Sequence, residues 1–319
     1  MSVTINDVAR IAGVSKSTVS RVLNGSGPVS QETEMRVRSI VAALDYRPSF
    51  LGRSLATQKS YSIAIIVPDI RNPFFAHMCW KAEHIMREHG YSAVICNTGN
   101  RTSDEETYLQ QMKDRSVDGI LIASAIGDAT NIINFKAREK KPVLLFDVAV
   151  VGYDIPTVYV DDAYGGREMT RYLVGIGHRR IVFATSDLTY AERQRLEGYR
   201  LALSELGLPI DDALIIVNDE ANWSQARCDQ LVRLMTAKNR PTAIFCSNDL
   251  KAIRTYEILR GLGIRIPEDV SVVGFDGIAF AQFSTPPLAT VRQPIDELGR
   301  VAVEILIELI RGDNQGPVH

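Results

Sequence analysis

Residues 4–23, TINDVARIAGVSKSTVSRVL, decide how this chain is read. Thr4 stands where a helix N-cap belongs, and Asp7 three residues on completes a variant of the capping box. Ile5, Val8, Ala9 and Ala12 fall on one helical stripe, and Gly13 supplies the left-handed turn that ends the helix. Ser15 caps a second helix, in which Val19, Val22 and Leu23 face inward. The opposite face shows Lys16, Ser17, Ser20, Arg21 and Asn24, donors of the size and polarity that read base edges and phosphates in a major groove. A helix-turn-helix places its second helix there, N-terminal residues deepest. A surface helical hairpin with a merely solvated face has the same spacing.

Outward from this stretch, Gly25-Ser26-Gly27-Pro28 is a turn, and a third helix follows Ser30 with Met35, Val37, Ile40, Val41 and Leu44 mostly inward. Such a bundle is marginal alone. Arg47-Pro48 is a boundary, because proline disfavours helix at the residue before it. Ser49 can cap a short helix to Thr57, too short to persist alone in water, with Gly52 costing it a further ~1 kcal/mol. Gln58 to Ser60 reads as linker. Residues 1–60 hold eight Lys/Arg against four Asp/Glu, whereas the whole chain is −2. A basic segment on an acidic body suits phosphate contact at one end only.

From Tyr61 the rhythm changes. Short apolar runs alternate with amphipathic helices: residues 63–67, 93–96, 120–123, 143–146 and 158–160, then 181–184, 214–217, 243–246 and 271–273. Buried runs separated by helices predict parallel sheets built from βαβ units, and the 319-residue length suits two doubly wound lobes. Residues 294–311 read as a last amphipathic helix. In such sheets ligands bind beyond the carboxyl ends of strands, where polar and aromatic residues such as Asn72, Phe74, Phe75, Asn97, Ser124, Asp147, Trp223, Asn248, Asp249 and Asp276 collect. Helix capping accounts equally well for Asn248-Asp249, and core packing for Trp223.

Other classes find little support. Cys79, Cys96, Cys228 and Cys246 are scattered without a C-x-x-C pair, which fits a reducing cytoplasm. The N-terminus lacks a signal peptide's apolar segment, and no 18-residue apolar run exists. There is no phosphate-loop motif and no nucleophile elbow. Gly175-Ile176-Gly177 lacks the third glycine of a dinucleotide fingerprint. His77 and His84 share a helical face but are too far apart to hold one metal ion. The expectation is no enzyme, no cofactor, no catalytic residue and no metal.

The wording of the chain is more specific than its spacing. DVARIAGVSKSTVSRVLNGSGPVS (7–30) closely resembles the headpiece of the LacI family of bacterial transcriptional repressors. The resemblance continues through YRPSFLGRSL (46–55), VPDIRNPFF (67–75), GHRRI (177–181), TAIFCSNDL (242–250), PEDVSVVGFDG (267–277) and TVRQPIDELGR (290–300). It implies an α/β chain with a helical helix-turn-helix headpiece, 1–46, a hinge helix and linker, 47–60, and a two-lobed core, 61–319, like that of periplasmic sugar-binding proteins. Lobe one takes about 61–160 plus 292–319, and lobe two about 162–290. It implies DNA contacts from Thr4, Ser15, Lys16, Ser17, Thr18, Ser20, Arg21, Asn24 and Ser30. In the hinge it implies Ser49, Gly52, Arg53 and Leu55, with Leu55 as a minor-groove wedge.

For the effector it implies Phe74, Phe75, Asp147, Arg195 (in RQRLEGY, 193–199), Asn248 and Asp276, with Trp223 available to stack. Arg195 is expected to act as a ligand fork whose removal spares the fold. The chain departs from the family at Asp147-Val148, where arginine often follows the aspartate, at Asp161-Asp162 for Asp-Asn, and at Asp276-Gly277 for Asp-Asp. A cleft with one fewer cation is less suited to an anionic effector. The expectation is a cytoplasmic homodimeric repressor that binds a pseudo-palindromic operator, has no membrane role, and answers to a small polar effector such as a sugar or sugar derivative. The competing reading, a solute-binding protein of the same core, leaves residues 1–57 unexplained.

Overall fold

The computed structural model describes residues 3–25, 27–46, 59–123, 129–148, 150, 152–186, 189–218 and 225–313. The chain separates into two compact units, Met1–Ser60 and Tyr61–His319.

In the first unit, α1 (Ile5–Ala12), α2 (Lys16–Asn24) and α3 (Gln31–Ala43) enclose one small core. The Thr4–Asp7 capping box is complete: Asp7 N–H donates to Thr4 Oγ1 at 3.4 Å, and Thr4 N–H returns a bond to Asp7 Oδ2 at 3.0 Å. Gly13 and Gly25, both left-handed, close α1 and α2. The buried residues are Val8, Ala9, Ala12, Val19, Val22, Val37 and Tyr46, so the two stripes read from the sequence meet. Met35 is the exception. It is 61% exposed, because Val37, Ile40, Val41 and Leu44 complete the inward stripe of α3 without it.

The second unit holds two five-stranded parallel sheets. The first joins β1 (Ser62–Val67), β2 (Ser92–Asn97), β3 (Gly119–Ile122), β4 (Val143–Phe146) and β5 (Thr157–Val158) in the order β2-β1-β3-β4-β5. Its helices are α4 (Pro73–Glu88), α5 (Thr102–Asp114) and α6 (Thr130–Arg138). After α7 (Asp162–Gly175), the second sheet joins β6 (Ile181–Ser186), β7 (Ile215–Asn218), β8 (Ala243–Cys246), β9 (Ser271–Asp276) and β10 (Ala289–Arg292) in the order β10-β9-β8-β6-β7. Its helices are α8 (Tyr190–Glu205), α9 (Gln225–Thr236) and α10 (Asp249–Gly261). Central strands such as β1, β3, β4 and β8 are buried along almost their whole length, which explains their unbroken apolar composition.

Strand β10 has no counterpart in the sequence reading. Its four residues, ATVR, are only partly covered and lie at a sheet edge, so they carry neither a continuous apolar run nor clean alternation. The last helix, α11 (Ile295–Arg311), returns to the first sheet. It buries Ile295, Leu298, Ala302, Val303, Leu306 and Ile307, and Ile310 Cδ1 lies so close to Gly119 that an added Cβ there would be 2.7 Å away.

Helices α7 and α8 cross through two glycines. A Cβ on Gly166 would sit 2.4 Å from the Arg195 carbonyl oxygen, and one on Gly198 would sit 2.1 Å from that of Ala163. Only hydrogen at both positions permits this approach. The crossing sets Arg195 against the start of α7.

Candidate functional site

In the first unit the face of α2 carries two kinds of polar side chain. Ser15 is the N-cap, accepting from Thr18 N–H at 3.1 Å, and its hydroxyl lies 2.7 Å from Ser17 Oγ and 2.8 Å from Thr18 Oγ1. Thr4 and Ser30 likewise cap α1 and α3. These hydroxyls shape the helix starts. Lys16 and Arg21 are exposed and make no hydrogen bond or ion pair with another described residue. Ser20 is half-buried. The Asn24 side chain, and Ser49, Gly52, Arg53 and Leu55 entirely, lie outside the described residues.

In the second unit the carboxyl ends of the strands assemble a buried ionic cluster. Arg195, on α8, is 3% exposed. Its Nε donates to Asp162 Oδ1 at 2.7 Å, and its Nη1 donates to the Ser247 carbonyl at 2.7 Å and to Asp276 Oδ1 at 3.2 Å. The guanidinium carbon rests 3.9 Å from the Phe275 ring centroid. Burial works against the guanidinium charge, but Asp162, Asp276 and Asp147 more than offset it and hold the proton more firmly than usual. The expectation of a ligand fork that can be cut away needs correction, because this arginine is committed to protein carboxylates. Removing it strands them in the interior.

Two strand-ending aspartates, one per sheet, have positive φ: Asp147 after β4 at 57° and Asp276 at the end of β9 at 115°. Non-glycine residues rarely adopt such backbone, and it concentrates at binding sites. Burial pushes the Asp147 carboxyl well up; the Asp162 and Asp276 carboxylates push the same way while Arg195 opposes them. Its Oδ1 has no hydrogen-bond partner among the described residues. Asp276 is raised to about 7 by burial, against the pull of Arg195, and it accepts from Gln293 Nε2 at 2.9 Å.

A second network lies beside the first. Glu192 is held ionised by Lys251 despite its burial, and it accepts from Ser186 Oγ, Ser247 Oγ (2.9 Å) and Asn248 Nδ2 (3.4 Å). Asn248 caps α10, its Oδ1 taking Lys251 N–H at 2.9 Å. Asp249 is structural too. Its Oδ2 accepts Ile278 N–H at 2.8 Å and its Oδ1 accepts Thr290 Oγ1 at 2.5 Å.

Phe74 is 2% exposed and packs against Phe146, their centroids 6.3 Å apart; Phe75 is half-buried and meets Phe74 edge-on at 5.1 Å. Trp223 and Ser124 lie outside the described residues. The structure thus brings Asp147, Arg195, Asn248 and Asp276 into one cluster. It adds Glu192, from the stretch 187–195 at the carboxyl end of a second-lobe strand, and Asp162, Ser186, Ser247, Lys251 and Gln293, which sequence reasoning did not nominate. Asp162 was visible only as the second of two aspartates. Glu192 and Lys251 are 59 residues apart, so no local spacing joins them.

The histidines of α4 hold no metal arrangement: His77 Nε2 is 3.0 Å from Asp296 Oδ1, and His84 pairs with Glu88. No group of metal ligands occurs among the described residues. No helix among them is long and apolar enough to cross a membrane.

Comparison with known proteins gives the same two parts. Residues 4–49 match the family described as "Bacterial regulatory proteins, lacI family", and residues 170–319 match "Periplasmic binding protein-like domain". The chain is 36% identical over 304 residues to the HTH-type transcriptional regulator DegA of Bacillus subtilis, covering 94% of this chain and 89% of that one. It is 35% identical over 314 residues to the ribose operon repressor of Haemophilus influenzae, covering 98% and 93%. Among solved structures it resembles the lac repressor dimer bound to operator and the anti-inducer ONPF. The TM-score is 0.85 at 26% identity, over 99% of this chain and 94% of that one.

Proposed function

Because the chain belongs to the LacI family of bacterial regulatory proteins, we propose that it is a sequence-specific DNA-binding repressor whose operator affinity is set by a small polar effector. It is a transcriptional regulator rather than an enzyme. The observation that carries the DNA reading is α2: its caps are satisfied internally, while Lys16 and Arg21 stand exposed and uncommitted on the helix that a helix-turn-helix inserts into the major groove. Ser17 and Ser20 share that face, and Asn24 enters this reading on the sequence alone. The hinge residues Ser49, Gly52, Arg53 and Leu55 enter this reading on the resemblance alone.

The effector is held at the carboxyl ends of the two sheets, around Asp147, Arg195 and Asp276, with Phe75 offering flat apolar surface; Trp223 enters this reading on its sequence position alone. A sugar or sugar derivative fits this mix of hydrogen-bonding groups and aromatic rings, and one relative is named for ribose. The working form is a homodimer in the cytoplasm on a pseudo-palindromic operator, as two recognition helices related by a two-fold axis require. Exposed Trp80, Leu250, Phe280 and Phe283 offer apolar surface for self-association.

Titrating the purified protein onto its operator at several salt concentrations tests this reading. Affinity is expected to fall steeply with salt, and to exceed affinity for random DNA of the same length. A protein with no DNA affinity at low salt, yet with a sugar-binding core, is the solute-binding protein of the competing reading.

A further inference from the structure

A hollow of about 660 Å³ lies between α7 and β10, outside the ionic cluster. Helix α7 meets α8 through Ala163, Gly166 and Arg167, and turns its opposite face, Tyr164, Glu168, Met169 and Tyr172, to the hollow. Positions three and four apart form one helical stripe. Tyr164 and Tyr172 are 59% and 56% exposed. The other wall is β10, which lies at the edge of its sheet. Thr290 turns to α10, donating to Asp249, so its neighbours Ala289 and Val291 face α7. Phe275 lies beneath both walls, so close to Gly165 that an added Cβ there would be 2.8 Å from its ring. This volume and these apolar walls suit a molecule of one or two rings.

The polar groups around the hollow are unequally committed. Asp161 accepts Tyr164 N–H at 2.8 Å as the cap of α7, and Glu168 lies 3.4 Å from Arg167 and 3.7 Å from Arg171. Arg292 is exposed, and its guanidinium makes no hydrogen bond or ion pair with another described residue. The charge left open in this lining is therefore positive. Gln293 is open in a different way. It is 4% exposed and spends Nε2 on Asp276 Oδ1 at 2.9 Å, while its Oε1 has no hydrogen-bond partner among the described residues. Buried acceptors are rarely left without a donor.

We propose that this hollow is a second small-molecule site and that it takes a small aromatic carboxylate carrying a ring hydroxyl or N–H. The ring packs on Tyr172, Met169 and Val291, the carboxylate meets the Arg292 fork, and the ring donor serves Gln293 Oε1. The inference is independent of which ligand the ionic cluster holds. Such a molecule would sit where the chain passes between the two sheets, at Val160-Asp161 and at Gln293-Pro294. It would also touch two supports of the cluster, since Gln293 holds Asp276 and the Phe275 ring lies 3.9 Å from the Arg195 guanidinium carbon.

The test is calorimetric titration of the full-length protein with 4-hydroxybenzoate and indole-3-acetate, each beside its neutral amide, with acetate as a control for charge alone. One acid is expected to bind once per chain, about tenfold or more tighter than its amide, and acetate not at all over the same range. Arg292→Gln is expected to bring that acid down to the level of its amide. Tyr172→Ala is expected to weaken acid and amide alike, by about fivefold. Both side chains are exposed, so melting temperatures near that of wild type check that the fold is kept. Failure of both acids to bind below millimolar concentration overturns the inference, as does equal binding of acid and amide. Acid binding unchanged in a folded Arg292→Gln or Tyr172→Ala protein overturns it too, because the acid then sits elsewhere. Should one variant fail to fold, the other and the comparison of acid with amide decide.

Discussion

Arg195 and Asp162 form an ion pair at 2.7 Å with side chains only 4% and 2% exposed, and the pair ties α8 to the first residue of α7. A pair this deep contributes little net stability while intact, because desolvation offsets attraction, but breaking it leaves an unpaired charge in the interior. Arg195→Ala is therefore expected to destabilise the core by about 3–5 kcal/mol. Urea unfolding measures this directly. The double variant Arg195→Met, Asp162→Leu is expected to recover part of the loss. An Arg195→Ala protein as stable as wild type contradicts the pairing.

Asp276 gives the core a pH dependence with a definite sign. Its ordinary value is 3.8, and burial raises it to about 7 in the fold. Between those values the native protein holds a proton that the unfolded chain has released, so stability is greatest below the lower value and declines as pH rises through the upper one. A single group contributes a slope of at most about 1.4 kcal/mol per pH unit. Asp276→Asn is expected to flatten the fall of melting temperature between about pH 4 and about pH 7. A residual slope should persist, since Asp249, raised to about 6, acts in the same direction. Identical profiles for variant and wild type would show that Asp276 does not titrate there.

The α7–α8 crossing makes its own prediction. A methyl group on Gly198 would sit 2.1 Å from the Ala163 carbonyl oxygen, which is backbone and has nowhere to move without separating the helices. Gly198→Ala should cost more than a solvent-exposed helix alanine gains, with a net loss of roughly 1–3 kcal/mol from overpacking. Displacing Arg195 with it, the change should weaken effector binding as well. Thermal melts and ligand titration on the same sample check both. Gly175→Ala serves as the control, because nothing lies within 4 Å of its added carbon.

On the headpiece, Arg21 is exposed on α2 and free of other described partners. If its guanidinium makes a bidentate base contact, Arg21→Ala should weaken operator binding by ~1–3 kcal/mol and binding to random DNA much less. Equal losses on both DNAs, measured at one salt concentration, would reduce Arg21 to a phosphate contact.

Much of the fold was legible because it is written in periodicity. The stripe of Val8, Ala9 and Ala12 and the apolar run at 63–67 each announce their element, and each is buried as its pattern requires. Strand β10 was not legible, since ATVR at a half-covered edge has no such pattern. The site was legible only in part. Asp147, Arg195 and Asp276 were named by motif, but motif says nothing of how they are used. The family resemblance assigned Arg195 outward to a ligand; the fold turns it inward onto Asp162, a residue 33 positions away. Asn248 shows the same limit, since a helix cap and a ligand contact have identical sequence signatures, and here it caps α10.

The position of α11 in the chain has a consequence for synthesis on the ribosome. Ala302, Val303, Leu306 and Ile307 belong to the core beneath the first sheet, yet they follow it by more than a hundred residues. The second sheet, from β6 to β10, is contiguous and complete before α11 emerges. The half translated earlier must therefore wait with an apolar face uncovered, while the half translated later can close first. The order of assembly is therefore expected to run against the order of synthesis. Nascent chains stalled before Ile295 are expected to protect the second sheet from protease while the first remains cleavable.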